Sequence, residues 1–298
     1  MTGQTPAGSG PRSFRISLVT PSFNQESFIE RTIDSIVSQQ GDFVLDYHII
    51  DGGSSDGTLD ILRRCRDSRV SWLSEPDQGQ VDAINKGLRA ATGDIVGWVN
   101  SDDLLLPGAL QRVTRAFQEH PESDWLHGRC EIIDVHDRPV RRWVSLYKHV
   151  RARRHSFENL LTENYVSQMT AFWRRSMHDE VGYLDPTLKL AFDYDFWLRL
   201  ARRGAPLYLQ ERIACFRWYP SSKSGAQFED QFREDAEIAA RHAGRRPWVL
   251  LRKRAKNRAI VGAYRLMALA RTASARQSDS IKAVPPAPKR GRSGKDRY

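Results

Sequence analysis

A chain of 298 residues is long enough to bury a sizeable core, as one large α/β domain or a domain with appendages. Its net charge of +10 misleads as an average. From Arg241 onward 17 Lys/Arg meet only Asp279 and Asp296, leaving 29 cations against 34 acids before it, a mildly acidic body with no electrostatic footprint for nucleic acid. Cys65, Cys130 and Cys215 are odd in number, far apart and without Cys-x-x-Cys spacing, which argues against a disulfide framework or zinc site and for a reducing, cytoplasmic setting.

In chain order, Met1 to Pro11 is Gly/Ser/Thr/Pro-rich and lacks the apolar core of a signal peptide, so residues 1–13 are expected to be a disordered leader. Ile16 to Thr20 is a β-rich run that stops at Pro21, and Phe28-Ile29, Ile33 and Ile36-Val37 then recur at helical spacing up to Gly41. Phe43–Ile50, Val70–Leu73 and Ile95–Val99 are predicted strands; Thr58–Cys65, Val81–Ala91 and Leu110–Phe117 are predicted helices. Alternation of this kind with short connections predicts a mostly parallel sheet with helices on both faces. Beyond residue 120, Trp125–Ile133 and Val140–Val144 resemble two strands around an Asp137-Arg138-Pro139 turn, and Tyr147–Ser156 is basic and irregular, a candidate mobile loop. Asp193–Arg203 is an amphipathic helix, Ile213–Trp218 a strand and Gln227–His242 a mixed-charge helix. Trp248–Ala270 mixes cations with aromatic and aliphatic residues, which suits either a helix packed on the domain or contact with an anionic bilayer; from Thr272 the composition is that of disorder. No run of about 18 apolar residues spans a membrane.

Polar residues cluster at the strand exits. Thr20-Pro21-Ser22-Phe23 ends the first strand with an aromatic two residues after the proline, a flat face for a base or an ordinary turn. Asp51-Gly52-Gly53 ends the second, where glycines admit close backbone approach and Asp51 can accept from a ring N–H or a ribose hydroxyl. Glu75-Pro76-Asp77 ends the third, with Asp82 and Lys86 on the following helix; Lys86 suits a phosphate or a solvated surface equally. Asn100-Ser101-Asp102-Asp103 ends the fourth. On their own these four residues suit a turn and cap for the next helix, with Pro107 in its first turn, as well as a divalent-cation site. The carboxyl edge of an open α/β sheet is where such folds bind ligands. No Gly-x-Gly-x-x-Gly and no P-loop motif occurs, which argues against a dinucleotide fold and a phosphate cradle.

Taken together, Ser17-Leu18-Val19-Thr20-Pro21-Ser22-Phe23-Asn24, Ile50-Asp51-Gly52-Gly53-Ser54-Ser55-Asp56-Gly57-Thr58 and Asn100-Ser101-Asp102-Asp103 resemble family 2 glycosyltransferases over about Phe14 to Ala240. The resemblance implies a GT-A, Rossmann-like fold and an inverting hexosyltransferase-type enzyme that uses nucleotide-diphosphate sugars. It implies that Thr20, Pro21 and Phe23 line the base and ribose pocket, that Asp51 bonds the nucleobase, that Asp102 contacts ribose or metal, and that Asp103 is the direct ligand of a Mg²⁺ or Mn²⁺. Ala191-Phe192-Asp193-Tyr194-Asp195-Phe196-Trp197 is similar to the family's base region, which makes Asp193 the candidate base and Asp195 an organiser of the helix start. Arg217-Trp218-Tyr219-Pro220-Ser221-Ser222-Lys223 is similar to a segment that folds over the diphosphate, with Lys223 at phosphate. Two positions depart from the pattern: Asn100 replaces a frequent Asp, and Phe192 a frequent Glu. Trp173 and Trp197 read as core residues.

The expected organisation is therefore a leader at 1–13, a GT-A domain at 14–243, a basic amphipathic helical extension at 244–271 and a disordered basic tail at 272–298. The expected donor is a UDP- or dTDP-sugar and the acceptor a glycan or lipid-linked saccharide, in cell-surface polysaccharide synthesis. The expected location is cytoplasmic and peripheral at the inner face of the membrane. A non-catalytic nucleotide-sugar scaffold and a nucleotidyltransferase are the rival readings, the latter weakened because Phe23-Asn24-Gln25 is no triphosphate-binding loop.

Overall fold

The computed structural model describes residues 13–220, 222, 227–258 and 262. The sequence period changes from two to 3.6 and back along the first hundred residues, and the chain follows it: β1 (Phe14–Ser22), α1 (Ile29–Val37), β2 (Phe43–Asp51), α2 (Thr58–Arg64), β3 (Val70–Ser74), α3 (Gln80–Ala90) and β4 (Ile95–Trp98). β1 pairs in parallel with β2 on one side and β4 on the other, and β2 with β3. The strand order thus reverses at β1, and the exits of β1, β2 and β3 line up: Ser22 faces Asp51, and Asp51 faces Ser74.

The second half closes the sheet with mixed pairing. It contains β5 (Leu104–Leu105), α4 (Ala109–Glu119), β6 (Trp125–Ile133), α5 (Arg142–Ala152), α6 (Phe157–Thr162), β7 (Ala171–Arg174), α7 (Met177–Val181), α8 (Phe192–Arg203), β8 (Leu207–Arg217) and α9 (Phe228–Ala243). β7 runs antiparallel to β4 and β6, and β8 is parallel to β6 and antiparallel to β5, giving one eight-stranded sheet in the order β3-β2-β1-β4-β7-β6-β8-β5. Helices cover both faces over two separate cores. One gathers α1, α2 and α4 around Leu18, Tyr47 and Phe117; the other gathers α3, α6 and α8 around Trp98, Trp125, Trp173 and Trp197. Gly87 lets α3 lie against β1, since a Cβ there would sit 2.4 Å from Val19 Cγ1.

One stretch differs from the sequence expectation. Val140–Val144 is no strand: a single antiparallel bridge, Ile133 with Pro139, precedes α5, which starts at Arg142 and takes in most of the segment expected to be a mobile loop. The physical reason is the spacing of Trp143, Leu146, Tyr147 and Val150, which is that of one helix face; the β-branched pair Val140 and Val144 obscures it over so short a window. Pro107 also lies outside its expected helix turn, because α4 starts at Ala109 behind Gly108, whose φ of 74° only glycine adopts readily.

The described residues fall into two compact units, one extending to Lys253 and one from Arg254. In the first, residues 247–253 are helical, Val249 is buried, and Lys253 Nζ bonds Asp235 Oδ2 at 2.8 Å and Tyr194 Oη at 3.2 Å. In the second, residues 254–258 and 262 are described and helical. Among the described residues no helix is long and apolar enough to cross a membrane.

Trp197 is fully buried and stacks between Trp98 and Trp125, with ring centroids at 5.4 and 6.0 Å. Trp197→Ala is expected to lower stability by about 4 kcal/mol through the cavity it leaves, read as a fall in the urea midpoint at unchanged slope.

Candidate active site

The exits of β1 and β2 are built from hydrogen bonds within the loops. Asp51 is fully buried, and its carboxylate accepts from Gly53 N (3.1 Å), Ser54 N (2.8 Å), Ser54 Oγ (2.5 Å) and Ser74 Oγ (2.7 Å). Gly53, at φ 82°, is the residue that lets this loop turn back over Asp51. Asn24 sits in the left-handed region at φ 51°, where its N–H donates to Ser54 Oγ at 2.7 Å and its Oδ1 accepts from Ser55 N at 2.9 Å. The two loops are thereby stitched together, and Phe23 is left on the surface beside them at 59% exposure. Thr20 is turned inward: its hydroxyl donates to Val99 O and accepts from Tyr47 Oη, both at 2.8 Å. Thr20 and Asp51 therefore brace the strand exits from within, and Phe23 is the exposed side chain of this group. Lys86 Nζ is held by Glu75 Oε1 at 2.8 Å and Asp82 Oδ2 at 3.1 Å, so α3 and the β3 exit share its charge.

At the β4 exit neither aspartate caps α4. Asp103 is fully buried; Oδ1 accepts from Arg217 N at 2.9 Å, while Oδ2 has only a longer 3.2 Å bond from Asn100 Nδ2. Asn100 Oδ1 in turn accepts from Gln80 Nε2 at 2.9 Å. Asp102 is partly exposed, and its Oδ2 accepts from Tyr219 Oη at 2.9 Å. Burial pushes both carboxyls above the usual range, and the neighbouring charge of Asp102 pushes Asp103 further. Two adjacent carboxylates raised in this way gain from any cation placed between them. Two carboxylates suit a Mg²⁺ or Mn²⁺ that takes most of its oxygens from a ligand and water; among the described residues no cluster of three or more metal-binding side chains occurs. Asp102 carries the more accessible oxygen, and Asp103 can contribute Oδ2 where the weak Asn100 bond yields.

Behind this pair lies a residue whose role the sequence pattern did not announce. The Arg217 side chain is fully buried: Nε donates to Asp102 O and Nη1 to Asp134 O, both at 2.8 Å, Nη1 also pairs with Asp137, and the guanidinium lies 5.0 Å from the Phe28 ring centroid. Phe28 packs against Tyr219 at 5.4 Å between centroids. The available signal was a cation at the inward end of an apolar strand, where a charge is retained only when it is bonded on several sides.

Asp193 lies in the first turn of α8, partly buried. Its Oδ1 accepts from Tyr194 N at 2.7 Å and its Oδ2 from Asn164 Nδ2 at 3.4 Å. Burial outweighs these bonds and raises its carboxyl to about 6. Asp195 points elsewhere, bonding Arg199 Nε at 2.9 Å and His242 Nε2 at 2.8 Å. Burial pushes it upward, but these two partners win and hold it below the usual range, so it ties α8 to α9. Trp98 of β4 stacks on Trp197 and lies 6.4 Å from the Phe192 ring, which fixes the start of α8 to the strand that leads into Asn100. Gln168 Nε2 donates to Trp98 O at 2.6 Å. Gln168 Oε1 and Asn164 Oδ1 are buried with no protein partner, two acceptors that sequence reasoning did not assign as a pair. Trp173 is fully buried, as expected of a core residue. Lys223 lies outside the described residues.

A family model described as glycosyl transferase family 2 matches residues 17–182. The chain is 28% identical over 200 residues to an uncharacterized glycosyltransferase of Mycobacterium tuberculosis, covering 65% of this chain and 72% of that one. It is 30% identical over 189 residues to a PGL/p-HBAD biosynthesis glycosyltransferase of Mycobacterium bovis, covering 61% and 68%. Among solved structures, S. aureus TarS 1-349 in complex with UDP-GlcNAc superposes with a TM-score of 0.57 at 20% identity, over 76% of this chain and 66% of that one; the match to a longer TarS chain spans 39% of its length. The mannosyltransferase PcManGT of Pyrobaculum calidifontis, in complex with GDP-Man and Mn²⁺, superposes with a TM-score of 0.55 at 18% identity over 89% and 80%. These likenesses establish the GT-A type of fold.

Arg217→Met is expected to cost about 3 kcal/mol, because it leaves the carbonyls of Asp102 and Asp134 buried without their donors. Chemical denaturation of the purified variant measures it.

Proposed function

This chain belongs to glycosyl transferase family 2 and is a glycosyltransferase, and we propose that it inverts the anomeric centre of a UDP- or dTDP-sugar as it passes the sugar to a hydroxyl of a glycan or lipid-linked saccharide in cell-surface polysaccharide synthesis. The observation that carries the reading is the shared anchorage on Trp98 of two acidic centres, the Asp102–Asp103 pair after β4 and Asp193 at the start of α8. Phe23 supplies a face for the base, with Pro21 and the backbone of Thr20 beside it, while Asp51 shapes the loop that meets the nucleobase. Lys86 and Lys223 supply positive charge toward phosphate. Asp102 and Asp103 would hold a Mg²⁺ or Mn²⁺, which when bound neutralises the charge that grows on the departing diphosphate.

Asp193 takes the proton of the acceptor hydroxyl as its oxygen attacks the anomeric carbon from the side opposite the leaving nucleotide. A carboxyl near 6 suits this task, being ionised at neutral pH and still basic enough to accept a proton. Gln168 Oε1 and Asn164 Oδ1 accept hydrogen bonds from acceptor hydroxyls and so orient the attacking oxygen. The domain is proposed to span 14–243, and the basic stretch at 244–271 to meet an anionic membrane from the cytoplasmic side; no nucleic acid is a partner.

A thermal-shift screen of nucleoside diphosphates and nucleotide sugars, with and without Mn²⁺, is expected to show metal-dependent stabilisation by a uridine or thymidine diphosphate. Silence across all of them sinks the donor assignment. Asp193→Asn is expected to lower kcat about a hundredfold to ten-thousandfold while leaving the donor's thermal shift intact. In the wild type, kcat/KM falls about tenfold for each pH unit below about 6. The stability effect runs the other way. Asp193 ionises near 6 when folded and at about 3.9 when unfolded, so above pH 6 its charge costs the folded state on the order of 3 kcal/mol, a cost that fades as pH falls toward about 3. The Asn variant is therefore expected to be more stable than wild type at neutral pH and to lose that advantage in acid, as urea melts at the two pH values would report.

A further inference from the structure

Helix α5 carries an apolar face that is exposed among the described residues. Trp143, Leu146, Tyr147 and Val150 are 67, 58, 41 and 43% exposed. At 3.6 residues per turn they fall within an arc of about 100°. Large apolar side chains this exposed and this contiguous mark a contact surface. The helix belongs to a basic stretch: Val140 to Ser156 holds Arg141, Arg142, Lys148, Arg151, Arg153 and Arg154 and no acid, and Arg142, Arg153 and Arg154 are exposed. Arg142 and Arg153 lie on one flank of the stripe, about 90° from its centre.

We propose that this face of α5 docks on the surface of an anionic lipid bilayer, with Trp143, Leu146 and Val150 entering the headgroup boundary and the flanking arginines meeting lipid phosphates. An apolar stripe edged by cations is the composition of an interfacial helix. A second copy of the chain fits poorly, since a symmetric contact across this face brings the same exposed arginines of both copies together, and the nearby acid, Glu163, is already engaged by Tyr147 and Arg151.

The docking has a consequence for the reaction. Tyr147 Oη donates to Glu163 Oε2 at 2.8 Å, Arg151 Nε pairs with the same oxygen at 3.3 Å, and the next residue, Asn164, bonds Asp193. The stripe is thus linked through Glu163 and Asn164 to the carboxylate proposed as base. A bilayer under α5 places that carboxylate beside acceptors whose lipid end lies in the same membrane. This consequence rests on Asp193 being the base; the docking does not.

Co-sedimentation of the full chain with vesicles tests the docking. Wild type is expected to pellet with an equimolar phosphatidylcholine–phosphatidylglycerol mixture and to remain in solution with phosphatidylcholine alone, with binding weakened by salt. The triple variant Trp143→Ser, Leu146→Gln, Val150→Gln is expected to bind the mixed vesicles at least about tenfold more weakly, and Arg142→Gln with Arg153→Gln and Arg154→Gln to weaken binding and flatten its salt dependence. Thermal melts with and without nucleotide, run on the same preparations, score folding and donor binding separately, so failure of the donor reading and failure of the docking are told apart. The proposal is overturned if wild type binds neither vesicle, if the triple variant binds as wild type does, or if wild type is a dimer in solution that the triple variant converts to monomer.

Discussion

A single buried guanidinium fixes the acidic end of β4. Arg217 reaches the Asp102 carbonyl with Nε, the Asp134 carbonyl with Nη1, and the Asp103 carboxylate through its own backbone N–H. Those three bonds join β8, the turn after β6 and the exit of β4, which are far apart in sequence. A charge buried this deeply is retained only because its partners are themselves held in place. The same network leaves the Asp102 side chain partly exposed while Asp103 is fully buried, so the bonds that brace the loop also set which of the two carboxylates is more accessible.

The aromatic block on the other face of the sheet does for Asp193 what Arg217 does for the aspartate pair. Trp98 is both a residue of β4 and a stacking partner of Trp197 and Phe192, so the strand that delivers one acidic centre also sets the position of the other. The electrostatics then divide. Asp195, one turn face away, is bonded by His242 and Arg199 and held low, while Asp193, with one backbone donor and one weak amide, is left with a raised carboxyl. Two aspartates separated by one residue are thereby given opposite shifts by their partners alone, Asp195 in a structural tie and Asp193 left with the raised carboxyl that the proposed base needs.

The strands and helices of the first hundred residues were legible because each carries one clear period, and the polar exits because parallel strands bring their carboxyl ends to one edge. What was not legible depends on partners distant in sequence. The Thr20 hydroxyl is shared between Tyr47 and Val99, and the Asp51 carboxylate is braced by the Ser54 and Ser74 side chains and two backbone N–H groups, partners that no local motif announces. Asn164 has no motif around it; its value comes from lying opposite Asp193. Helix α5 was hidden for another reason: its apolar stripe faces outward, so it shares no pattern with a core, and its cations imitate a solvated loop.

The two ends of the site consequently differ in stiffness of specification. At the β1 and β2 exits the loops are cross-linked: Asp51 accepts four bonds, Asn24 donates to Ser54 Oγ and accepts from Ser55 N, and at the β4 exit Asp103 is anchored at Oδ1, while Ser22 Oγ and Gln25 Oε1 are buried without a protein partner. Loops tied to one another in this way are preorganised, which is what the proposed donor, with the same nucleotide in every turnover, would need. On the side of α8, Asn164 and Gln168 each keep a buried oxygen with no protein partner. Such atoms carry a desolvation cost of about 1–3 kcal/mol until a donor arrives, so a hydroxyl placed there gains more than the bond is worth in water. In the proposed reaction these two oxygens would recognise an acceptor hydroxyl, and the loops across the sheet would meet the leaving group.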